Sequence, residues 1–303
     1  MSIKEKKQYN TVLSQAKKGV PGFEKSYAKF IEKVTIGQNS KSLIVNYSRS
    51  LAYLALHFNR PPHEISVDQI NAYLYRMMVH EQCSITYFKH AVFALRYWFR
   101  LFNMEDKAIQ MPPIKKEKKL PVVLSRQECK EIFISPRSLK HRFLLAFAYA
   151  GGLCMNELRL MKIADVDLQR EQVRICHGKG RKQRYVGLSK LIAQKLPLYL
   201  KEARPELYLF EGLTPSQPMG ERSIQYIISE ALQKTSIAKA VSMHTLRHSF
   251  ATHLLEDGVD IQSIQHLLGH ADLLQTLVYL HVAQVKSKPA HSPLDTLYGL
   301  IKL

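Results

Sequence analysis

The chain has 303 residues, with 44 Lys and Arg against 25 Asp and Glu, a formal net charge of +19 at pH 7. Hydrophobic residues make up 46%, which excludes a disordered chain and is enough for two domains with sizeable cores. A basic surplus of this size points to a polyanion. Nucleic acid fits better than a membrane surface, because the basic residues are spread along the chain and not gathered on one amphipathic helix. The longest uncharged apolar run, Phe143–Met155, suits a buried helix and is too short for a membrane span. The polar opening "MSIKEKKQYN" does not read as a signal peptide. Cys83, Cys129, Cys154 and Cys176 show no paired spacing, so free thiols in a reducing cytoplasm are expected.

In chain order, the first third is helical. "NSKSLIVNYSRSLAYLALHF" opens on cap residues and contains no Pro or Gly, and "SVDQINAYLYRMM" opens on Ser66 with Ile70, Tyr73, Leu74 and Met77 on one face. "CSITYFKHAVFALRYWFRLF" interleaves aromatic residues, read as core, with Lys89, Arg96 and Arg100, read as an outer face for phosphates. An all-helical domain of four or five helices is expected over residues 20–108. A basic linker follows at 109–121, marked by "MPPIKKEKKLP", and a second domain occupies 122–303. There "PRSLKHRFLLAFAYAGG" predicts a helix stopped by glycines, and "QVRICHGKGRKQRYVGL" predicts two short strands around a Gly-Lys-Gly turn. A helix ending near Gly258 comes next, then one capped by Asp260 and stopped by Gly269, then a short third carrying Tyr279. The expected fold is mainly α with a small β-hairpin or sheet: a helical N-terminal domain and an α+β C-terminal domain.

The densest chemistry lies in "HTLRHSFATHLL", residues 244–255. On a helical wheel started at Met243, Leu246, Phe250 and Leu254 form the apolar stripe, and Arg247, at about 40°, lies inside it. An arginine there needs either a buried carboxylate or an anion pocket, and the stretch alone leaves both open. His244 and His248 have the spacing of a zinc-binding helix. However, Thr245 stands where a zinc protease carries its glutamate, and His253, at about 280° on the wheel, points away from His248 at about 140°, so the three histidines do not converge and no metal is expected. His248 and His253 are read as structural. Turns expected at Gly258 and Gly269 would let the chain fold back so that His244, Arg247, His270 and Tyr279 converge, and Lys179 at the expected hairpin tip would add a mobile cation. Such a set suits phosphoryl transfer without a cofactor. Arginine neutralises phosphate oxygens, histidines handle protons, tyrosine attacks, and lysine protonates a leaving alkoxide.

"HTLRHSFATHLLEDGVDIQSIQHLLGH" followed by Tyr279 in "LVYLHV" resembles the signature of the tyrosine recombinases, or phage integrases, closest to their Xer-type and integron-type branches. "GKGRKQRYVGL" resembles the family's lysine hairpin, "KKEKKLPVVLSRQE" its interdomain linker, and "YAGGLCMNELRLMKIADVD" its first-arginine box. The likeness covers roughly residues 40–295. It implies that Tyr279 attacks the scissile phosphate to form a 3′-phosphotyrosyl link. Arg247 would clamp the non-bridging oxygens, His244 and His270 would support the phosphorane and proton transfer, and Lys179 would protonate the departing 5′-oxygen. It further implies no ATP or metal, double-stranded DNA as partner, and a homotetramer on DNA built from free monomers. Accessory DNA-bending proteins are possible helpers. The apolar stripe Leu294, Leu297, Leu300 and Ile301 would be a tail docking on a neighbouring protomer.

One position departs from the family. Cys154 occupies the place of the first catalytic arginine, and a cysteine cannot donate two charge-assisted hydrogen bonds. Losing one such donor costs roughly 10² to 10³ in rate. The alternative reading is therefore a catalytically impaired relative that binds a DNA site without recombining it. Arg159 is the nearest residue to supply the missing charge, but it is about 140° around a helix from position 154. A type IB topoisomerase would share the chemistry.

Overall fold

The computed structural model describes residues 3–37, 39–81, 83–105, 107, 109, 120–176 and 183–284, with the backbone alone for 3–10. It divides into two compact units, 1–117 and 118–303. Residues 110–119 of the expected basic linker, Lys179 and the apolar stripe of the tail lie outside the described residues. Among the described residues no helix is long and apolar enough to cross a membrane.

The first unit contains α1 (Ile3–Gly19), α2 (Phe23–Ile36), α3 (Lys41–Phe58), α4 (Val67–Val79) and α5 (Ile85–Leu101). Serine caps start three of them. Ser40 accepts from the Leu43 amide, Ser66 forms a reciprocal capping box with Gln69, and Ser84 accepts from the Tyr87 amide. The expected domain start at residue 20 leaves out α1, yet α1 packs on α3 and buries Val12 and Ala16 in the same core. That core is aromatic, as the interleaved pattern of α5 predicts. Trp98 is fully buried, with Phe30 at 5.6 Å and Phe102 at 5.2 Å between ring centroids.

The second unit opens with α6 (Arg126–Ile134), capped by Ser125 and Glu128, and α7 (Leu139–Ala150), stopped at Gly151 as expected. The one-turn α8 (Met155–Arg159) precedes an antiparallel sheet of β1 (Val166–Asp167), β2 (Gln172–Ile175) and β3 (Arg184–Gly187). The predicted hairpin is present, with Val173 opposite Val186 and Ile175 opposite Arg184, and β1 extends it to three strands. Then come α9 (Lys190–Ala203), α10 (Glu221–Gln233), α11 (Met243–Glu256), α12 (Ile261–Leu268) and α13 (Leu274–Leu277), the last running into a 3₁₀ turn at Val278–His281. α7 lies in the main core, where Phe143 stacks on Tyr199 at 4.4 Å. A smaller core of Ala251, Leu255, Ile264, Leu268 and Tyr279 joins α11, α12 and the final turn.

Candidate active site

α11 is buried nearly all round, not along a single stripe. Thr245, Ser249, Thr252 and His253 are buried as well as Met243 and Leu246, while His244 is exposed. The wheel placed Arg247 inside the apolar arc, and it is indeed buried, at 9% exposure. Its guanidinium faces a carboxylate: Nη1 lies 3.3 Å from Glu157 Oε2. The same nitrogen donates to the Gly152 carbonyl at 3.0 Å, and Nη2 donates to the Leu268 carbonyl. Of the two partners the stretch left open, the buried carboxylate is present.

Glu157 reaches that position because it is the third residue of α8, where its side chain turns back to accept from the Cys154 amide at 2.9 Å. Arg184 then grips both carboxylate oxygens, at 2.6 and 3.1 Å, and anchors itself through Nε on the Leu267 carbonyl. Burial pushes the Glu157 carboxyl up, but the Arg184 hydrogen bonds and charge, the Cys154 amide and Arg247 outweigh it and hold the group below the ordinary carboxylate range. Two guanidinium groups thus share one carboxylate, leaving one positive charge for an anion. Neither Glu157 nor Arg184 was singled out from the sequence, although each left a signal. Glu157 stands three residues after the start of a helix, and Arg184 shares the inward face of β3 with Val186 in a period-two pattern.

Backbone turns set the approach. Gly152 has φ +56 and exposes its carbonyl to Arg247; a Cβ there would sit 2.3 Å from Phe250 Cδ1. Gly269, φ +67, ends α12 and turns the chain so that His270 points back, and a Cβ there would press on Arg184 at 3.0 Å. His270 Nδ1 meets Thr276 Oγ1 at 2.9 Å, and its ring lies parallel to that of Tyr279 with centroids 6.5 Å apart. Tyr279 is 1% exposed. Burial raises its pKa, and the nearby Arg247 charge opposes that rise.

The structure therefore brings Arg247, His270 and Tyr279 together around the ends of α11 and α12. His244 lies at the rim, its ring 6.4 Å from His248. Lys179 lies outside the described residues, between β2 and β3. Cys154 caps α8 beside Glu157 and Arg247, and burial followed by the Glu157 charge pushes its thiol up, so at neutral pH it adds no charge. Arg159 does not replace the missing arginine; it donates to the Met219 carbonyl and pairs with Glu221. His253, read as structural, has Nδ1 2.7 Å from Tyr149 Oη. His248, also read as structural, lies with Nδ1 3.1 Å from Tyr279 Oη, a contact the wheel could not reveal because it depends on how a distant segment folds back. Among the described residues no three His, Cys, Asp or Glu side chains converge to hold a metal ion.

Residues 123–286 match the phage integrase family. An integrase/recombinase of Sinorhizobium fredii is 33% identical over 268 residues, 88% of this chain and 87% of its own length. Tyrosine recombinase XerC of Bacillus licheniformis is 36% identical over 211 residues, 63% of this chain and 68% of its own. A solved lambda integrase tetramer bound to a Holliday junction shares the fold, with a TM-score of 0.63 at 16% identity over 82% of this chain and 76% of that one. With the matched family region enclosing the whole Arg247–Tyr279 cluster, the chain belongs to the phage integrase family of Xer-type tyrosine recombinases, enzymes that cut and rejoin DNA.

Proposed function

We propose that the chain recombines duplex DNA at specific sites through a covalent 3′-phosphotyrosyl intermediate, with Tyr279 as nucleophile. The observation that carries this reading is the convergence on Tyr279 of the buried Arg247 and of two imidazoles, His248 from α11 and His270 from just after α12. Arg247 neutralises the non-bridging phosphate oxygens, with Glu157 and Arg184 holding it in place. His270, fixed by Thr276, and His244 at the rim donate to the phosphorane. Lys179 delivers the proton to the departing 5′-oxygen. The phosphotyrosine conserves the phosphodiester bond energy, so neither ATP nor a metal ion is required for rejoining. Cys154 lowers the rate by removing one donor but leaves the nucleophile intact.

The net charge of +19 supports a phosphate-dominated interface with double-stranded DNA. In the first unit a cleft of about 680 Å³ whose lining includes Arg49, His57, Tyr73, Arg76, Glu81 and Tyr87 supports the helical unit as the other half of a DNA clamp. The lambda integrase tetramer bound to a Holliday junction supports a homotetramer on DNA, and we propose that it assembles from free monomers. Unpaired cysteines at all four positions fit a cytoplasmic setting.

The test is covalent capture. A pool of nicked duplexes of random sequence is incubated with the protein and washed in detergent, and the DNA that stays attached is recovered. The intact chain retains DNA, and Tyr279→Phe, which keeps the ring and removes the attacking oxygen, retains none. An adduct that survives in Tyr279→Phe defeats the assignment.

A further inference from the structure

His248 is the one histidine on α11 near the site to which the family constellation gives no role. We propose that His248 is the proton acceptor for Tyr279, taking the phenolic proton at Nδ1 as the hydroxyl oxygen attacks phosphorus. The inference rests on the reading of Tyr279 as the nucleophile.

Two histidines contact the tyrosine and a third stands beside one of them, and geometry separates the three. His270 lies parallel to the phenol ring at 6.5 Å and has Nδ1 on Thr276, a posture that supports the ring's face. His244 is exposed, one turn before His248. His248 places a ring nitrogen 3.1 Å from the phenolic oxygen. With the hydroxyl donating, this contact requires the tautomer that carries its proton on Nε2. Tyr279 is 1% exposed, so its proton has no direct route to bulk water and needs an internal acceptor.

Charge agrees with geometry. Burial, His244 and Arg247 all push the His248 imidazole below its ordinary range, so it is neutral at pH 7 and offers a lone pair. The groups acting on it are His244 and Arg247 from α11 and Tyr279, backed by His270, from the segment after α12. α7 sends Tyr149 to His253 instead. Burial keeps the phenol protonated at pH 7, which is the state that requires a base.

The step balances. The Tyr279 Oη–H bond breaks and its proton passes to His248 Nδ1. The Oη–P bond forms and the P–O5′ bond breaks. The 5′-oxygen leaves as a hydroxyl with a proton from Lys179 or water. In rejoining, the 5′-hydroxyl attacks, and the protonated His248 returns its proton to the departing phenolate.

The test uses a suicide duplex recovered by covalent capture with the intact chain. Single-turnover cleavage is followed from pH 5.5 to 9 for the intact chain, His248→Gln and His248→Ala, with DNA binding by gel shift and melting curves as controls. His248→Gln keeps a hydrogen-bond partner for the phenol but cannot take a proton. Both variants are expected to bind DNA as the intact chain does and to cleave about 10²-fold more slowly at pH 7. The intact chain reaches a rate plateau above the lowered His248 pKa, whereas the variants continue to gain rate as pH rises. A second duplex with sulfur in place of the bridging 5′-oxygen has a leaving group that needs no proton, and the deficit of the variants should persist on it. Three results overturn the proposal: cleavage at the intact rate, a slower rate with an unchanged pH profile, or a deficit that vanishes on the sulfur substrate. Failure of the intact chain to capture any DNA would instead refute the nucleophile reading beneath it.

Discussion

Replacing Arg247 with methionine separates what the guanidinium does for the fold from what it does for a phosphate. Methionine keeps the length and apolar character of the side chain and removes the charge. Three hydrogen bonds are lost, to Gly152 O, Leu268 O and Glu157. A buried ion pair broken on one side costs about 3 to 5 kcal/mol when it strands the other charge. Here Glu157 is not stranded, since Arg184 still holds both its oxygens and the Cys154 amide still donates. What remains is the loss of a donor at two buried carbonyls, about 1 to 3 kcal/mol each. Relief from burying the guanidinium, whose charged form burial disfavours before Glu157 compensates, offsets part of this. The expected net is about 2 kcal/mol, or a melting temperature lower by about 4 to 8 °C at the usual sensitivity of a unit of this size. Thermal unfolding of the full chain measures it, alongside gel-shift binding, which is expected to persist, and cleavage, which is expected to disappear. An unchanged or higher melting temperature would show that the carbonyl contacts count for nothing. A loss beyond about 5 kcal/mol would show that Arg184 alone cannot hold Glu157.

The remaining predictions concern the same neighbourhood. Because the Glu157 carboxyl is held below its ordinary range, it stabilises the fold above the unfolded-state pKa of about 4.3, and that contribution is lost as pH falls through the folded value. The stability gap between the intact chain and Glu157→Gln should therefore be widest near neutral pH and close on acidification below about pH 4; a gap that does not narrow refutes the assignment. Gly152→Ala forces a Cβ into the Phe250 ring at a left-handed position, and should lower the melting temperature and slow cleavage together; a variant indistinguishable from the parent in both would show that the turn is not tight. Cys154 has extended backbone angles that any residue adopts, so Cys154→Arg should fold and raise cleavage by about 10² or more, but only while Arg247 is present. The same gain in an Arg247→Met background would place the new arginine outside the Arg247 pocket. Affinity for duplex DNA should fall steeply between low and moderate salt, as titration of a labelled duplex would read; a flat response contradicts a phosphate-dominated interface.

The sequence by itself determined the local elements, because their causes are local. Ser40, Ser66 and Ser84 start helices where cap chemistry says they should, Gly151 and Gly269 stop two others, and period-two alternation marks the hairpin. It also determined the family and the order His244, Arg247, His270, Tyr279, since these lie in one continuous stretch whose spacing is itself the signal. Tertiary structure decided the partners. Arg247 meets Glu157 across 90 residues of sequence and Arg184 reaches Glu157 across 27, so no wheel or window links them. The wheel also misjudged α11 as one-sided, because whether a helix is covered on one face or all round depends on how many neighbours close over it, and those arrive from distant segments. His248 shows the same limit. Its neighbours along α11 mark it as a packing residue, and only the return of the chain through α12 and α13 sets the Tyr279 hydroxyl against its ring nitrogen. Hydrogen bonds between side chains act over about 3 Å, whereas sequence pattern reports only which face of an element is apolar.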